Sequence, residues 1–170
     1  MVIIYFFYGL LFGGIGLTAY LQLRRGGDLP LKHQLPWLAA FGMIYGATGW
    51  IEMFMLSDLP QELAQVLTII RMILQPVSGL LIFMFGWGVL TQLTPLPTWT
   101  IFIPGVLIVP IAYVITYAAT TFVTPSPLEI PIDIWSRYLL YLPGAIMAGI
   151  GVFKQRKKAK ALWGTKKMKL

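Results

Sequence analysis

The stretch that most constrains the fold is Leu63 to Leu93, which is largely apolar and carries a single charged residue, Arg71. About twenty helical residues are enough to cross the hydrocarbon of a bilayer, so this run is long enough for a transmembrane helix. A charged side chain inside such a helix is energetically costly unless it is paired. We therefore expect the rest of the fold to be arranged around this helix and its arginine.

The composition places the chain among membrane proteins. Hydrophobic residues make up 58% of the sequence and charged residues only 11%, with a mean hydropathy of +0.77. In soluble domains about a quarter of the residues are charged. The sequence contains no cysteine, which excludes disulfides, iron–sulfur clusters and thiolate metal sites. These values predict an all-α integral membrane protein.

The hydropathy pattern predicts a single domain over residues 1–153, built as a bundle of five transmembrane helices. Gly9 and Gly13 lie four residues apart in the first helix, which favours close approach of another helix. Either general close packing or a specific dimer face would explain this spacing. The predicted helices cover residues 2–23, 36–56, 63–93, 98–123 and 136–153.

The basic residues predict the orientation in the membrane. Of the 13 Lys and Arg residues, three lie in residues 24–35 and eight in residues 154–170. Lys and Arg are enriched in cytoplasmic loops, so we expect the N-terminus outside and the C-terminus in the cytoplasm. Residues 154–170 are expected to form an interfacial tail on the anionic inner leaflet, with no role in nucleic-acid binding. The tail residues assigned to that contact are Lys154, Arg156, Lys157 and Lys158.

The second and third predicted helices carry a candidate polar site. Glu52 and Arg71 fall in the same half of the bilayer on consecutive antiparallel helices, which predicts a buried ion pair with Tyr45 and Gln75 completing its hydrogen bonds. The alternative is that Arg71 extends to the membrane surface and Glu52 contacts interfacial water separately. Tyr113 and Tyr117 of the predicted fourth helix face the same side and extend the candidate pocket.

Motifs for catalysis were not found in the sequence. It has no glycine-rich phosphate loop and no Ser/His/Asp constellation, and its one histidine, His33, lies in a predicted interfacial loop. We therefore expect a protein that is not an enzyme and has no metal site. Bound pigment, lipid or quinone leaves no reliable sequence pattern, so the cofactor is left open.

Two segments resemble the membrane-embedded input region of bacterial sensor histidine kinases and diguanylate cyclases. They are FFYGLLFGGIGLTAYLQLRRGGDLPLKHQLPWLAAFGMIYGATGWIEMF and RYLLYLPGAIMAGIGVFKQRKKA. The similar region has a histidine in its second helix where this chain has Tyr45, and no kinase or cyclase output domain is present in the sequence. The resemblance implies an input module in the bacterial cytoplasmic (inner) membrane.

Two functional classes follow from these observations. In the first, the polar residues line a pocket that senses a ligand or a membrane state and relays the change to a protein partner or within a homo-oligomer. In the second, the same residues satisfy one another, and the chain is an accessory subunit of a larger respiratory, photosynthetic or transport complex. Glycine-rich faces on the first, second and fifth predicted helices favour the second class.

Overall fold

The computed structural model describes residues 2–25, 31–92 and 132–167, with side chains in the last range as far as Gln155. All regular secondary structure in these ranges is helical. The elements are α1 (Val2–Arg24), α2 (Leu35–Met55), α3 (Gln61–Thr91) and α4 (Leu142–Lys167), with a π-helical turn at Arg137–Tyr141 directly before α4.

Four helical segments in the described ranges are long and apolar enough to cross a membrane. They are Val2–Arg24, Leu35–Met55, Gln61–Thr91 and Ile132–Gln155. The prediction of an all-helical, multi-pass membrane protein is confirmed at this level. The predicted helix at residues 98–123 lies outside the described residues.

Helices α1 and α2 form an antiparallel hairpin held close by glycine. A Cβ added at Gly16 would lie 2.6 Å from the backbone nitrogen of Met43, and a Cβ added at Gly46 would lie 2.8 Å from the backbone nitrogen of Gly13. Such distances leave no room for a side chain, so the two backbones touch directly. The close packing predicted for Gly9 is made within the chain, against Trp50 and Gly46 of α2, whereas a Cβ added at Gly13 would meet no atom within 4 Å.

Helix α3 packs antiparallel to α2 through an apolar core. Phe41 of α2 lies among Ile82, Phe85 and Val89 of α3, and all four side chains are buried. Large apolar side chains on the outer surfaces are exposed in the protein, as expected for helices that face hydrocarbon. On α1, for example, Ile3 is 70% exposed and Leu11 is 66% exposed.

Helices α3 and α4 run parallel. A Cβ added at Gly79 would lie 3.0 Å from the Tyr141 ring, and one added at Gly86 would lie 3.0 Å from the backbone nitrogen of Ala148. The side chain of Val89 lies against Gly151, one further step along both helices. Residue numbers therefore rise in the same direction along α3 and α4.

These directions define two ends of the helix bundle. The end that holds Val2, Met55, Gln61 and Ile132 is called the Glu52 end, and the end that holds Arg24, Leu35 and Thr91 is called the Lys32 end. The 21 residues of α2 cover about 31 Å, close to the thickness of the hydrocarbon core. The 31 residues of α3 cover about 46 Å.

The extra length of α3 lies at the Glu52 end. The Gln34 side chain, next to the start of α2, lies against Gly88 near the end of α3, so the two helices are level at the Lys32 end. Helix α3 also continues through Pro76 without a break. The sequence predicted that the last helix ends at residue 153, whereas α4 continues through the basic segment to Lys167.

Candidate functional site: a polar cavity at the Glu52 end

An ion pair joins α2 and α3 in the polar site. Arg71 Nη1 lies 3.5 Å from Glu52 Oε1, and the two side chains are 18% and 24% exposed. Glu52 is three residues before Met55, the last residue of α2, which places its backbone about 4.5 Å inside the end of that helix. The pair therefore lies near the level at which the apolar surface of α2 ends.

A second ion pair belongs to the helical turn that leads into α4. Arg137 Nε donates to Asp133 Oδ1 over 2.8 Å, and the Gln75 side-chain amide donates to the same carboxylate oxygen. Gln75 lies four residues after Arg71, so the two residues share one face of α3. The two ion pairs are thus held on one polar surface of α3.

Arg137 also begins the π-helical turn. The N–H of Leu142 donates to the carbonyl of Arg137, five residues earlier, and Pro143 follows with no N–H to donate. π-Helical turns inside α-helices are rare and are frequent at functional sites. The turn couples the charged side chain of Arg137 directly to the start of α4.

Three tyrosines extend the polar surface across the bundle. The Tyr8 hydroxyl of α1 donates to the Tyr45 hydroxyl of α2, and the Tyr45 ring lies 5.2 Å from the Tyr141 ring. The Tyr141 hydroxyl shares a hydrogen bond with Ser78 Oγ and donates to the Gln75 carbonyl over 2.9 Å. Aromatic contacts and hydrogen bonds therefore connect all four described helical segments at this level.

Several of these groups line a cavity of about 300 Å³. This volume lies at the lower end of the range for small-molecule sites, about 300–1,000 Å³. Its wall combines hydroxyl, amide, carboxylate and guanidinium groups with aromatic rings. The wall includes Tyr5, Tyr8, Tyr45, Glu52, Gln75 and Arg137.

The structure brings four of the residues singled out from the sequence to one place. Glu52, Gln75 and Tyr45 line the cavity, and Arg71 contacts Glu52. The side-chain amide of Gln75 donates to Asp133, and the Tyr45 hydroxyl accepts from Tyr8. The remaining two candidates, Tyr113 and Tyr117, lie outside the described residues.

The residues of the site that were not predicted from the sequence include Tyr5, Tyr8, Asp133, Arg137 and Tyr141. Asp133 precedes the predicted start of the last helix at residue 136, but in the structure it lies in a helical segment that begins at Ile132. The spacing of Asp133 and Arg137 carried a usable signal, because an acid four residues before a base is a favourable helical pair. The tyrosines gave no comparable signal, since aromatic residues occur throughout this sequence.

No group of three or more His, Cys, Asp or Glu residues able to hold a metal ion occurs within residues 2–25, 31–92 and 132–167. Comparisons of the chain with models of protein families, with curated proteins and with solved structures find no match.

Proposed function

We propose that this protein is a sensor module of the bacterial inner membrane, without catalytic activity of its own. It binds a small molecule in the cavity at the Glu52 end and relays the occupied state through α4 to a protein partner. The observation that carries the proposal is the position of Arg137, which lines the cavity and also begins the π-helical turn before α4.

The relay follows from the continuity of α4. This helix runs from Leu142 to Lys167 without interruption, so a shift at its start is transmitted along its whole length. A ligand changes the equilibrium between two positions of α4 only by binding one position more tightly than the other. Ligand contacts to Arg137 or Gln75 would provide that difference, because both side chains bond to Asp133, which lies on the helical segment that leads into α4.

We also propose five spans, with the Glu52 end outside. Because α3 and α4 are parallel, the chain leaves α3 at the Lys32 end and the described residues resume at the Glu52 end. Residues 98–123 are the apolar run available for the return crossing. The described basic residues of the Lys32 end, among them Arg24, Arg25 and Lys32, favour a cytoplasmic location for that end.

The basic residues Lys154, Arg156, Lys157 and Lys158 follow the apolar part of the last span in the sequence. We assign them to the anionic inner leaflet, where each Lys or Arg near the surface contributes about 1 kcal/mol of attraction. This contact would hold the start of the cytoplasmic segment while the helix itself transmits the signal.

Native purification tests the proposal against the accessory-subunit alternative. The full chain is extracted from its host membrane in native-lipid particles and examined by native mass spectrometry. We expect a monomer or homo-oligomer that retains a small molecule, with loss of that molecule when Asp133→Asn and Arg137→Gln are combined. A stable stoichiometric complex with a respiratory, photosynthetic or transport assembly would contradict the sensor proposal.

A further inference from the structure

We infer that the cavity at the Glu52 end takes a neutral, planar ring that carries carbonyl oxygens, the chemistry of a quinone head group. The inference rests on the proposed sensing role of the cavity and specifies its ligand. Three properties of the described residues carry it: the charge balance of the cluster, its aromatic walls and the hydrogen-bond donors that face the cavity.

The charges of the cluster are balanced. Glu52 pairs with Arg71 at 3.5 Å and Asp133 pairs with Arg137 at 2.8 Å, so the two carboxylates and two guanidinium groups sum to zero. A charged ligand would add an uncompensated charge between membrane-spanning helices, where charge is poorly solvated. The site therefore favours a neutral ligand over an anion or a cation.

Aromatic rings form much of the wall. Tyr5, Tyr8 and Tyr45 all line the cavity, and the Tyr8 and Tyr45 ring centroids lie 5.4 Å apart in an edge-to-face arrangement. Aromatic rings pack favourably on other rings in offset-stacked and edge-to-face geometries. A flat ring fits such walls better than a branched aliphatic group or a sugar, whose hydroxyls would need many polar partners.

Several polar groups of the wall can donate hydrogen bonds. Arg137 uses Nε for Asp133, and 64% of its side chain is exposed in the part of the protein that the structure describes. Its terminal N–H groups are thus accessible. The hydroxyls of Tyr5 and Tyr45 supply further donors, because the Tyr45 hydroxyl accepts from Tyr8 and keeps its own proton. Carbonyl oxygens on the ligand would accept these hydrogen bonds, whereas a plain hydrocarbon ring would leave them unsatisfied.

The depth of the cavity suits an amphipathic molecule. Glu52 lies about one helical turn inside the end of α2, whose length matches the hydrocarbon core. A ring bound at this level has its polar oxygens near the head groups and can carry an apolar chain into the bilayer. The volume of about 300 Å³ is small enough to favour a single ring system.

A ligand series on the wild-type protein tests the inference. The full chain is reconstituted in nanodiscs of zwitterionic lipid and titrated by calorimetry with decyl-1,4-benzoquinone, decylbenzene and 4-decylbenzoate. We expect saturable binding of the quinone at one molecule per chain, and binding at least tenfold weaker for the other two. The decylbenzene lacks acceptors, and the benzoate brings a net charge.

A matched pair of variants on α1 locates the binding. Tyr5→Phe keeps the ring but removes a hydroxyl from the cavity wall, and we expect about tenfold weaker quinone binding, the usual effect of one lost hydrogen bond. Tyr20→Phe makes the same change near the other end of α1, where Tyr20 lies against Arg24. That variant should bind the quinone as the wild type does, and circular dichroism checks that both variants fold.

The outcomes separate this inference from the proposed function. Benzoate binding as tight as quinone binding, or no saturable binding of the quinone, would overturn the neutral-ring inference. Equal loss of quinone binding in Tyr5→Phe and Tyr20→Phe would show that the quinone does not bind in the cavity at the Glu52 end. In each case a different small molecule retained in native purification would still support a sensing cavity. A stable stoichiometric complex with a respiratory, photosynthetic or transport assembly would refute sensing itself.

Discussion

Replacement of Glu52 by Gln is the most informative perturbation of the polar cluster. The substitution keeps the shape of the side chain and removes its charge, which leaves Arg71 opposite a neutral amide. At 3.5 Å and an effective dielectric constant of about 20, the two unit charges attract by about 5 kcal/mol. Much of this attraction offsets the free energy lost when both groups leave water.

The net effect on stability is set by the charge left behind. Loss of one partner from a buried ion pair destabilises a protein by about 3–5 kcal/mol. Since Arg71 and Glu52 remain 18% and 24% exposed, we expect a loss near the lower limit, about 3 kcal/mol. Replacement of both partners, Glu52→Gln with Arg71→Met, should cost clearly less than the sum of the two single changes.

The assay is a double-mutant cycle on the free energy of unfolding, measured by steric trapping in bicelles. We expect a coupling energy of about 2 kcal/mol between the two positions. Glu62→Gln is the matched control, because Glu62 is an exposed acid in the first turn of α3. This substitution should change the free energy of unfolding by no more than about 0.5 kcal/mol. A coupling energy below about 0.5 kcal/mol would refute the ion pair as a stabilising contact.

Three further substitutions test the packing. Gly46→Ala places a Cβ 2.8 Å from α1 backbone atoms and should destabilise the hairpin by about 1–3 kcal/mol, whereas Gly14→Ala, with open space, should be neutral or stabilising. Gly144→Ala places a Cβ 2.8 Å from the α3 backbone and should be similarly destabilising, with Gly149→Ala as its open-space control. Ser78→Ala removes the hydroxyl partner of a buried tyrosine and should cost about 1 kcal/mol. Unfolding free energies in bicelles check all three, and equal effects in a glycine and its control would contradict the packing described.

The sequence was sufficient to predict α1, α2 and α3 because the physical signal of these apolar helices is strong. Apolar runs long enough for a bilayer predicted the starts of α1 and α2 within about one residue of the observed ones, Val2 and Leu35. Helical spacing and the order of the helices were also enough to place Glu52 and Arg71 on neighbouring faces. The short connection between α2 and α3 makes those helices antiparallel neighbours. The pairing of Glu52 with Arg71 could therefore be predicted without knowing contacts between distant parts of the sequence.

The rest of the cavity could not be predicted in the same way. Asp133 and Arg137 reach the site because α4 packs parallel to α3, a contact between segments far apart in sequence. The helical start at Ile132 could not be predicted because Pro125, Pro127 and Pro131 precede it in the sequence, and proline is a strong signal for a turn. Tyr8 lies at the site because the glycine contacts between α1 and α2 set the rotation of α1 about its own axis. That rotation cannot be derived from composition.

The central claim is that occupancy of the cavity at the Glu52 end changes the position of α4 at the Lys32 end. The chain has no cysteine, so Lys32→Cys and Lys154→Cys provide two unique sites for spin labels. Their distance distribution is measured in native-lipid particles as isolated, and again after bound small molecules have been removed by detergent exchange. We expect the main distance to shift by about 1–2 Å or more, the scale of helix shifts in known switches. Identical distributions in a protein shown to have lost its bound molecule would contradict the claim.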